Sequence, residues 1–222
     1  VSLMKQRVEK WIKTEFAFIQ GNILVLIMAS FFTSFSEAIV NPFYSLYLRD
    51  LGASPFIIGL MGSLGSAIVS LMRLPGGYIA DKYGRKKIIF TMTYGISFSY
   101  LFYTIAPSWE YILIGLVIGR LSAIYFPAFR ALEADSLPPE QRGRGYATIG
   151  VLPRVFAVFA PTIAGLLVER YGLVPGMRIG FGLLTLCYFI SASLRMLFLK
   201  ETLENPKNID YGDLGRDFVH SI

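Results

Sequence analysis

Four ionisable residues interrupt long apolar runs: Glu37, Arg73, Arg120 and Arg154. A charged side chain at bilayer depth costs about 2.5–3.5 kcal/mol on insertion scales, so each one needs a partner, water or a task. Glu37 lies in the stretch FTSFSEAIVNPF. Ser34, Glu37 and Asn41 recur at helical spacing and share one face, a polar stripe on an otherwise apolar helix. A carboxylate so placed can take up a proton or bind a cationic group. A guanidinium can bind an anion or pair with the carboxylate. Substrate and proton competing for Glu37 would couple their movements. The alternative is a structural ion pair between Glu37 and Arg120 that locks two helices, and buried pairs are poor stabilisers. Arg73 and Arg154 lie nearer the ends of their runs and are expected to snorkel to lipid headgroups. If they faced a cavity instead, its charge would favour an anionic substrate.

Other chemistry finds no support in these residues. The sole histidine, His220, lies in the polar tail, away from every apolar run. No Ser–His pair and no His-based metal site can form in the membrane, so an intramembrane enzyme is not expected, and neither is a metal or cofactor. The single cysteine, Cys187, permits no intrachain disulfide. The net charge of +6 would suggest nucleic acid only if the basic residues formed one patch, and they are dispersed. The 222 residues are 54% hydrophobic and 15% aromatic, with a mean hydropathy of +0.54. A soluble domain of this length could not hide that much apolar surface. The first apolar run is too long for a removable signal peptide.

Six stretches are long enough to cross a bilayer as helices: 22–48, 55–80, 88–107, 110–134, 146–169 and 176–199. The turns between them are short and carry Gly, Pro and Asp, which makes neighbouring spans antiparallel. Lys and Arg set the orientation. Lys5, Arg7, Lys10 and Lys13 precede span 1, and Lys82, Arg85, Lys86 and Lys87 follow span 2. Arg130, Arg142 and Arg144 flank the end of span 4, and Arg195, Lys200, Lys207 and Arg216 lie at or beyond the end of span 6. The other side has Arg49, Arg170 and Arg178. Both termini are therefore expected in the cytoplasm, in a multi-pass protein of the plasma or inner membrane. Residues 1–18 are expected to lie on the inner leaflet as a basic amphipathic segment, with Trp11 as an anchor. Residues 19–199 form the six-span domain, and 200–222 a polar tail or the start of an interdomain loop. Glu37 and Arg120 each lie roughly 15–17 Å from the outer ends of spans 1 and 4, deep enough to meet. Tyr44, Tyr47, Trp109 and Tyr111 are expected to anchor the interface. Gly59, Gly62 and Gly65 are expected to mark close helix packing, and Pro42, Pro127, Pro153 and Pro161 kinks.

The chain also repeats itself. GGYIADKYGRKK at Gly76–Lys87 has a near-double in AGLLVERYGLVP at Ala164–Pro175. Gly77 aligns with Gly165 and Gly84 with Gly172, an offset of 88 residues (165 − 77 = 172 − 84 = 88). This offset maps spans 1, 2 and 3 onto spans 4, 5 and 6. Three spans per copy is an odd number, so the second copy is inverted in the membrane and loses the inward-facing charges. The expected fold class is an all-α membrane protein whose six transmembrane helices form two inverted three-helix repeats, about 22–107 and 110–199.

GGYIADKYGRKK resembles the loop motif of the major facilitator superfamily, G-x-L-A-D-R-x-G-R-K-x, found between that family's second and third helices. Gly77, Ala80, Asp81, Gly84, Arg85 and Lys86 match, and Lys82 replaces the usual Arg. DSLPPEQRG, with Asp135, Pro138, Arg142 and Gly143, resembles the acid-x6-Arg pattern of the corresponding loop after span 4. FAPTIAG resembles the family's G-P-x-x-G-G antiporter element: Pro161 and Gly165 fit, and Ala160 and Ala164 replace glycines. The resemblance covers about Phe18 to Lys200. It implies a cavity lined by the first and fourth helices, and alternating-access transport of a small molecule, proton-coupled and exporter-like. A cytoplasmic gate is expected at Gly77, Asp81, Gly84, Arg85, Lys86, Asp135 and Arg142, with Asp81 and Arg85 bridging to Asp135, Arg142 or Glu133. The family has two six-span halves and this sequence has one, so a second half or a homodimer partner is expected. A fragment, or a non-transporting membrane module, is the alternative.

Overall fold

The computed structural model describes residues 18–203. The expected amphipathic segment at 1–18, apart from Phe18, and the tail beyond Leu203 lie outside them. Six helices or helix groups are long and apolar enough to cross a membrane: Gly21–Asp50, Pro55–Tyr83, Arg85–Ile105, Trp109–Asp135, Pro139–Tyr171 and Leu173–Phe198. They are taken in order as spans 1 to 6, and the protein is multi-pass.

Three spans are interrupted where proline removes a backbone donor. Span 1 is α1 (Gly21–Val40), a 3-10 turn at Asn41–Phe43 and α2 (Tyr44–Asp50). Spans 2 and 3 are α3 (Pro55–Tyr83) and α4 (Arg85–Ile105). Span 4 is α5 (Trp109–Ser122), a 3-10 turn at Ala123–Tyr125 and α6 (Phe126–Asp135). Span 5 is α7 (Arg142–Ala157) and α8 (Ala160–Tyr171), led in by a 3-10 turn at Pro139–Gln141. Span 6 is α9 (Leu173–Phe198). Pro42 sits in the first 3-10 turn, Pro127 opens α6, Pro153 lies four residues before the end of α7, and Pro161 opens α8. Pro42, Pro127 and Pro161 are thus at real breaks, whereas α7 runs on through Pro153. Pro75, inside α3, leaves that helix continuous.

The packing has two-fold order. Span 1 packs on spans 5 and 6, while span 4 packs on spans 2 and 3, and spans 3 and 6 pack on each other. Exchanging spans 1, 2, 3 for 4, 5, 6 maps this pattern onto itself. The contact between spans 3 and 6 is antiparallel. At one end Arg195 donates to Thr93 Oγ1 (2.8 Å), and at the other Arg178 donates to the Ala106 carbonyl (2.6 Å). Midway, the contacting residues are one repeat apart. Ser97 donates to the Thr185 carbonyl (2.8 Å), and the rings of Tyr100 and Tyr188 lie 5.2 Å apart. Contact between repeat mates is what a two-fold axis through this crossing requires. The octapeptides obey the same relation. Gly84 (φ +92) and Gly172 (φ +83) each occupy a region open to glycine. Each donates to the carbonyl four residues back, Ala80 or Val168, at 3.0 and 2.9 Å.

Spans 1, 3 and 6 supply most of the core, whereas span 2 is only 11% buried along its most apolar window and span 5 only 22%. Gly59 and Gly62 are exposed on span 2, with nothing within 4 Å of an added Cβ. The expected close packing within the chain therefore fails for both: each has open space where a side chain would stand, and Gly62 borders the cavity described below. Gly65 and Gly76, further along span 2, are the glycines that meet span 4. An added Cβ on Gly76 would collide with the Ile124 carbonyl and lie 3.1 Å from Pro127 Cγ.

Two tyrosines expected at the interface are not there. Tyr47 is fully buried and donates to the Tyr103 carbonyl (2.8 Å). Tyr44 faces inward, its ring 6.2 Å from that of Tyr103. A small aromatic surplus in an apolar span looks alike whether it faces lipid or core, and here neighbouring rings took both side chains in.

Candidate functional site

A cavity of about 530 Å³ opens between spans 1, 2, 3, 4 and 6. The 3-10 turns of spans 1 and 4 both border it, through Asn41 and Ala123. Glu37 and Asn41 reach it from span 1, Arg120 from span 4 and Arg73 from span 2. Ser34, though on the same helical stripe, is not among the lining residues.

Glu37 has a different partner from the expected one. The Tyr188 hydroxyl, from span 6, donates to its carboxylate. The ion pairs among the described residues join Arg85 to Asp81, Arg85 to Asp135 and Arg130 to Glu133, so Glu37 and Arg120 share the cavity without pairing. Both side chains reach one cavity, but their helices are turned so that each meets a different neighbour. Arg120 leans toward span 2, where Gly65 makes room: a Cβ there would lie 3.1 Å from its Nε.

Arg73 is exposed on span 2 and also reaches the cavity. Its guanidinium borders the cavity, 5.6 Å from the centroid of the Phe126 ring, an arrangement that suits a cation over an aromatic face. Arg154 is exposed on span 5 and does not border the cavity. Tyrosines make much of the remaining wall, including Tyr44, Tyr100, Tyr103 and Tyr188. Tyr100 and Tyr188 were not singled out from sequence, yet the 88-residue offset links them (188 − 100 = 88).

A second constellation lies at the end of the bundle that carries the loop motif. Arg85 opens span 3, pairs with Asp81 at 3.5 Å and binds Asp135 at the end of span 4. The bridge to Asp135 is an expected one, and the pair with Asp81, one helical turn away, is an addition. Glu133, the other acid expected there, is 1% exposed and held by Arg130 at 2.8 Å. Arg142 opens α7, is exposed, and takes no part in the ion pairs. Gly77 lies 4.0 Å from Pro127 through an added Cβ, near the contact of spans 2 and 4.

Sequence reasoning missed the strap that closes this end. After span 6, Glu201 reaches the start of span 3, and its carboxylate accepts from the Lys86 backbone N–H (2.9 Å). It thereby satisfies one of the orphan donors of that helix and complements its dipole. A Cβ on Gly84 would lie 2.9 Å from the same carboxylate, so glycine also clears its approach. Asn22, in the first turn of span 1, exchanges two hydrogen bonds with the Lys200 backbone (2.7 and 3.0 Å) and donates to Ser136 Oγ (3.2 Å). The beginning of span 1, the ends of spans 2, 4 and 6 and the beginning of span 3 are joined in one polar network. Behind it, Arg195 is buried between the rings of Tyr125 and Phe129, whose centroids are 5.8 and 5.4 Å from its guanidinium.

The antiporter-like element divides by face. Ala160 and Ala164 are buried, at the positions where small residues let α8 approach the core. Pro161 is exposed, and Gly165 has nothing within 4 Å of an added Cβ.

Known proteins resemble this chain. The Multidrug resistance protein MdtG of Serratia proteamaculans (strain 568) is 28% identical over 186 residues, which are 81% of this chain and 44% of that protein. MdtG of Escherichia coli (strain 55989 / EAEC) is 26% identical over 206 residues, 84% of this chain and 50% of that protein. The chain thus spans about half the length of these curated relatives. A crystal structure of the peptide transporter POT in complex with sulfate superposes with a TM-score of 0.71 at 16% identity, over 90% of this chain and 43% of that one, a likeness of fold alone. The family model of the Major Facilitator Superfamily matches residues 26–220. This chain belongs to the Major Facilitator Superfamily.

Proposed function

We propose that the chain forms the amino-terminal six-helix half of a secondary transporter, which moves a small molecule across the membrane by alternating access. The observation that carries this reading is the cavity between spans 1, 2, 3, 4 and 6, where Glu37, Arg73 and Arg120 stand in otherwise apolar helices. Charges at such depth are costly, and a transport site gives them work. Relatives named as multidrug resistance proteins, about twice as long, support an exporter-like carrier whose second half covers the open side. The bare faces of spans 2 and 5 suit such a partner, whether a second six-helix half or another copy.

In this reading Glu37 is the proton-coupling group, with Asn41, Arg120 and Ser34 as its span-1 and span-4 company. Gly77, Asp81, Gly84, Arg85, Lys86, Asp135 and Arg142 form the gate at the cytoplasmic end, and Pro161 with Gly165 forms the antiporter-like element of span 5. The positive-inside distribution of Lys and Arg supports cytoplasmic termini and a plasma or inner membrane location. Residues 19–199 act as one transport domain, and nothing in the cycle requires bond chemistry or a cofactor.

The test is flux in proteoliposomes containing the full-length transporter, with an imposed pH gradient. Glu37→Gln is expected to abolish proton-dependent flux while counterflow exchange continues. Proton-driven flux that persists unchanged in Glu37→Gln rejects Glu37 as the coupling group.

A further inference from the structure

The charge balance of the cavity goes beyond the transport reading on which it rests, and the geometry points to a substrate class: organic anions with an aromatic or otherwise apolar body. Two guanidinium groups, Arg73 and Arg120, border the cavity. Neither enters an ion pair among the described residues. The acidic side chain on the wall is Glu37, and it already accepts the Tyr188 hydroxyl. Two cations therefore face one carboxylate whose hydrogen-bonding capacity is partly used. Both arginine side chains are exposed at the open cavity, and with two guanidinium groups to one carboxylate the local field favours an entering anion. Arg also offers paired donors that match the oxygens of a carboxylate, phosphonate or sulfonate.

The walls favour an apolar body on that anion. The rings of Tyr44, Tyr100, Tyr103 and Tyr188 border the same space, with Tyr100 and Tyr188 tilted at 59° to one another. The volume of about 530 Å³ falls in the range of pockets that enclose drug-sized molecules. A cation of the same shape would meet two like charges. Gly65 matters to this arrangement because its missing side chain lets Arg120 lean across toward span 2, the span that carries Arg73.

Three probes of nearly one shape test the inference: 1-naphthoate, neutral 1-naphthamide and cationic 1-naphthylmethylammonium. Binding of each radiolabelled probe to the full-length transporter in nanodiscs is measured by equilibrium dialysis. Naphthoate is expected to bind at least tenfold more tightly than the other two. Arg73→Gln and Arg120→Gln should each weaken naphthoate at least tenfold and leave the amide unchanged, while Arg120→Lys keeps part of the naphthoate affinity. Tighter binding of the ammonium, naphthoate binding indifferent to both arginines, or no binding of naphthoate would overturn the assignment. Vesicle flux separates this from the transport reading. Flux of the ammonium or the amide without naphthoate sinks the substrate class and leaves transport standing. Arginine-dependent naphthoate binding without flux of any probe upholds the anion site and counts against transport.

Discussion

Tyr100 and Tyr188 are repeat mates that touch: their ring centroids are 5.2 Å apart at the crossing of spans 3 and 6. The same crossing pairs Ser97 with Thr185, also 88 residues apart (185 − 97 = 88). Only Tyr188 of the pair bonds Glu37, and the repeat position of Glu37 on span 4 is held by Tyr125 (37 + 88 = 125). Duplication built the frame, and the difference between its copies built the site.

The Tyr188–Glu37 bond is expected to contribute measurably to the fold. A hydrogen bond to a charged group contributes about 1.5–3 kcal/mol, and an orphaned buried partner costs as much. In thermal unfolding of the purified protein, Tyr188→Phe and Glu37→Ala, each of which removes one partner of the bond, should each destabilise. Their double variant should lose less than the sum, with a coupling of about 1–3 kcal/mol. Strict additivity would mean that the two side chains do not interact.

An inverted repeat has a topological consequence. Lys86 and Tyr171 lie next to the repeat-related Gly84 and Gly172, yet at opposite ends of their bundles. In a Cys187→Ser background, Lys86→Cys should react with an impermeant maleimide from one side of sealed vesicles, and Tyr171→Cys from the other. Labelling of both from a single side would contradict the inversion.

The strap after span 6 should act as a cap from a distance. Glu201→Gln keeps the size of the side chain but weakens the acceptor at the Lys86 N–H and removes its charge from the start of span 3. The expected loss is about 1 kcal/mol of stability, as for other helix caps. Asn22→Ala, which breaks three hydrogen bonds to Lys200 and Ser136, should cost at least as much. Chemical unfolding of the two variants checks both, and a Glu201→Gln protein as stable as its parent would show that the strap does not hold this end.

How far these features can be read from sequence depends on their range. Hydropathy located all six spans, because crossing lipid demands length and apolarity of each helix alone. The offset that matched Gly84 to Gly172 survived because both positions need a conformation open to glycine. Arg85 with Asp135 was legible because each closes or opens a span at the same end. Helix rotation was not legible: Glu37 and Arg120 border one cavity but turn to different neighbours, and Arg73, though exposed, borders the cavity too. The strap was invisible for another reason. A cap contributed by Glu201 to Lys86 leaves no local signature at either residue.

Span 2 offers a direct test of what covers its bare face. Gly76 is packed against Ile124 and Pro127 of span 4, so Gly76→Ala forces one extra methyl into a filled contact. Overpacking of that kind costs about 1–3 kcal/mol, and unfolding of the six-span chain should register it. Gly59, which is exposed and does not line the cavity, has open space where its Cβ would be, and the gain in helix propensity makes Gly59→Ala neutral or slightly stabilising for the same chain. A larger Gly59→Leu should likewise leave the six-span chain folded. If this face meets a second half, Gly59→Leu should lower flux of the full-length transporter at least tenfold with its thermal stability in the membrane-extracted six-span chain unchanged. Full flux in Gly59→Leu would mean that this part of span 2 faces lipid, and the bare face would then have to be accounted for by the bilayer alone.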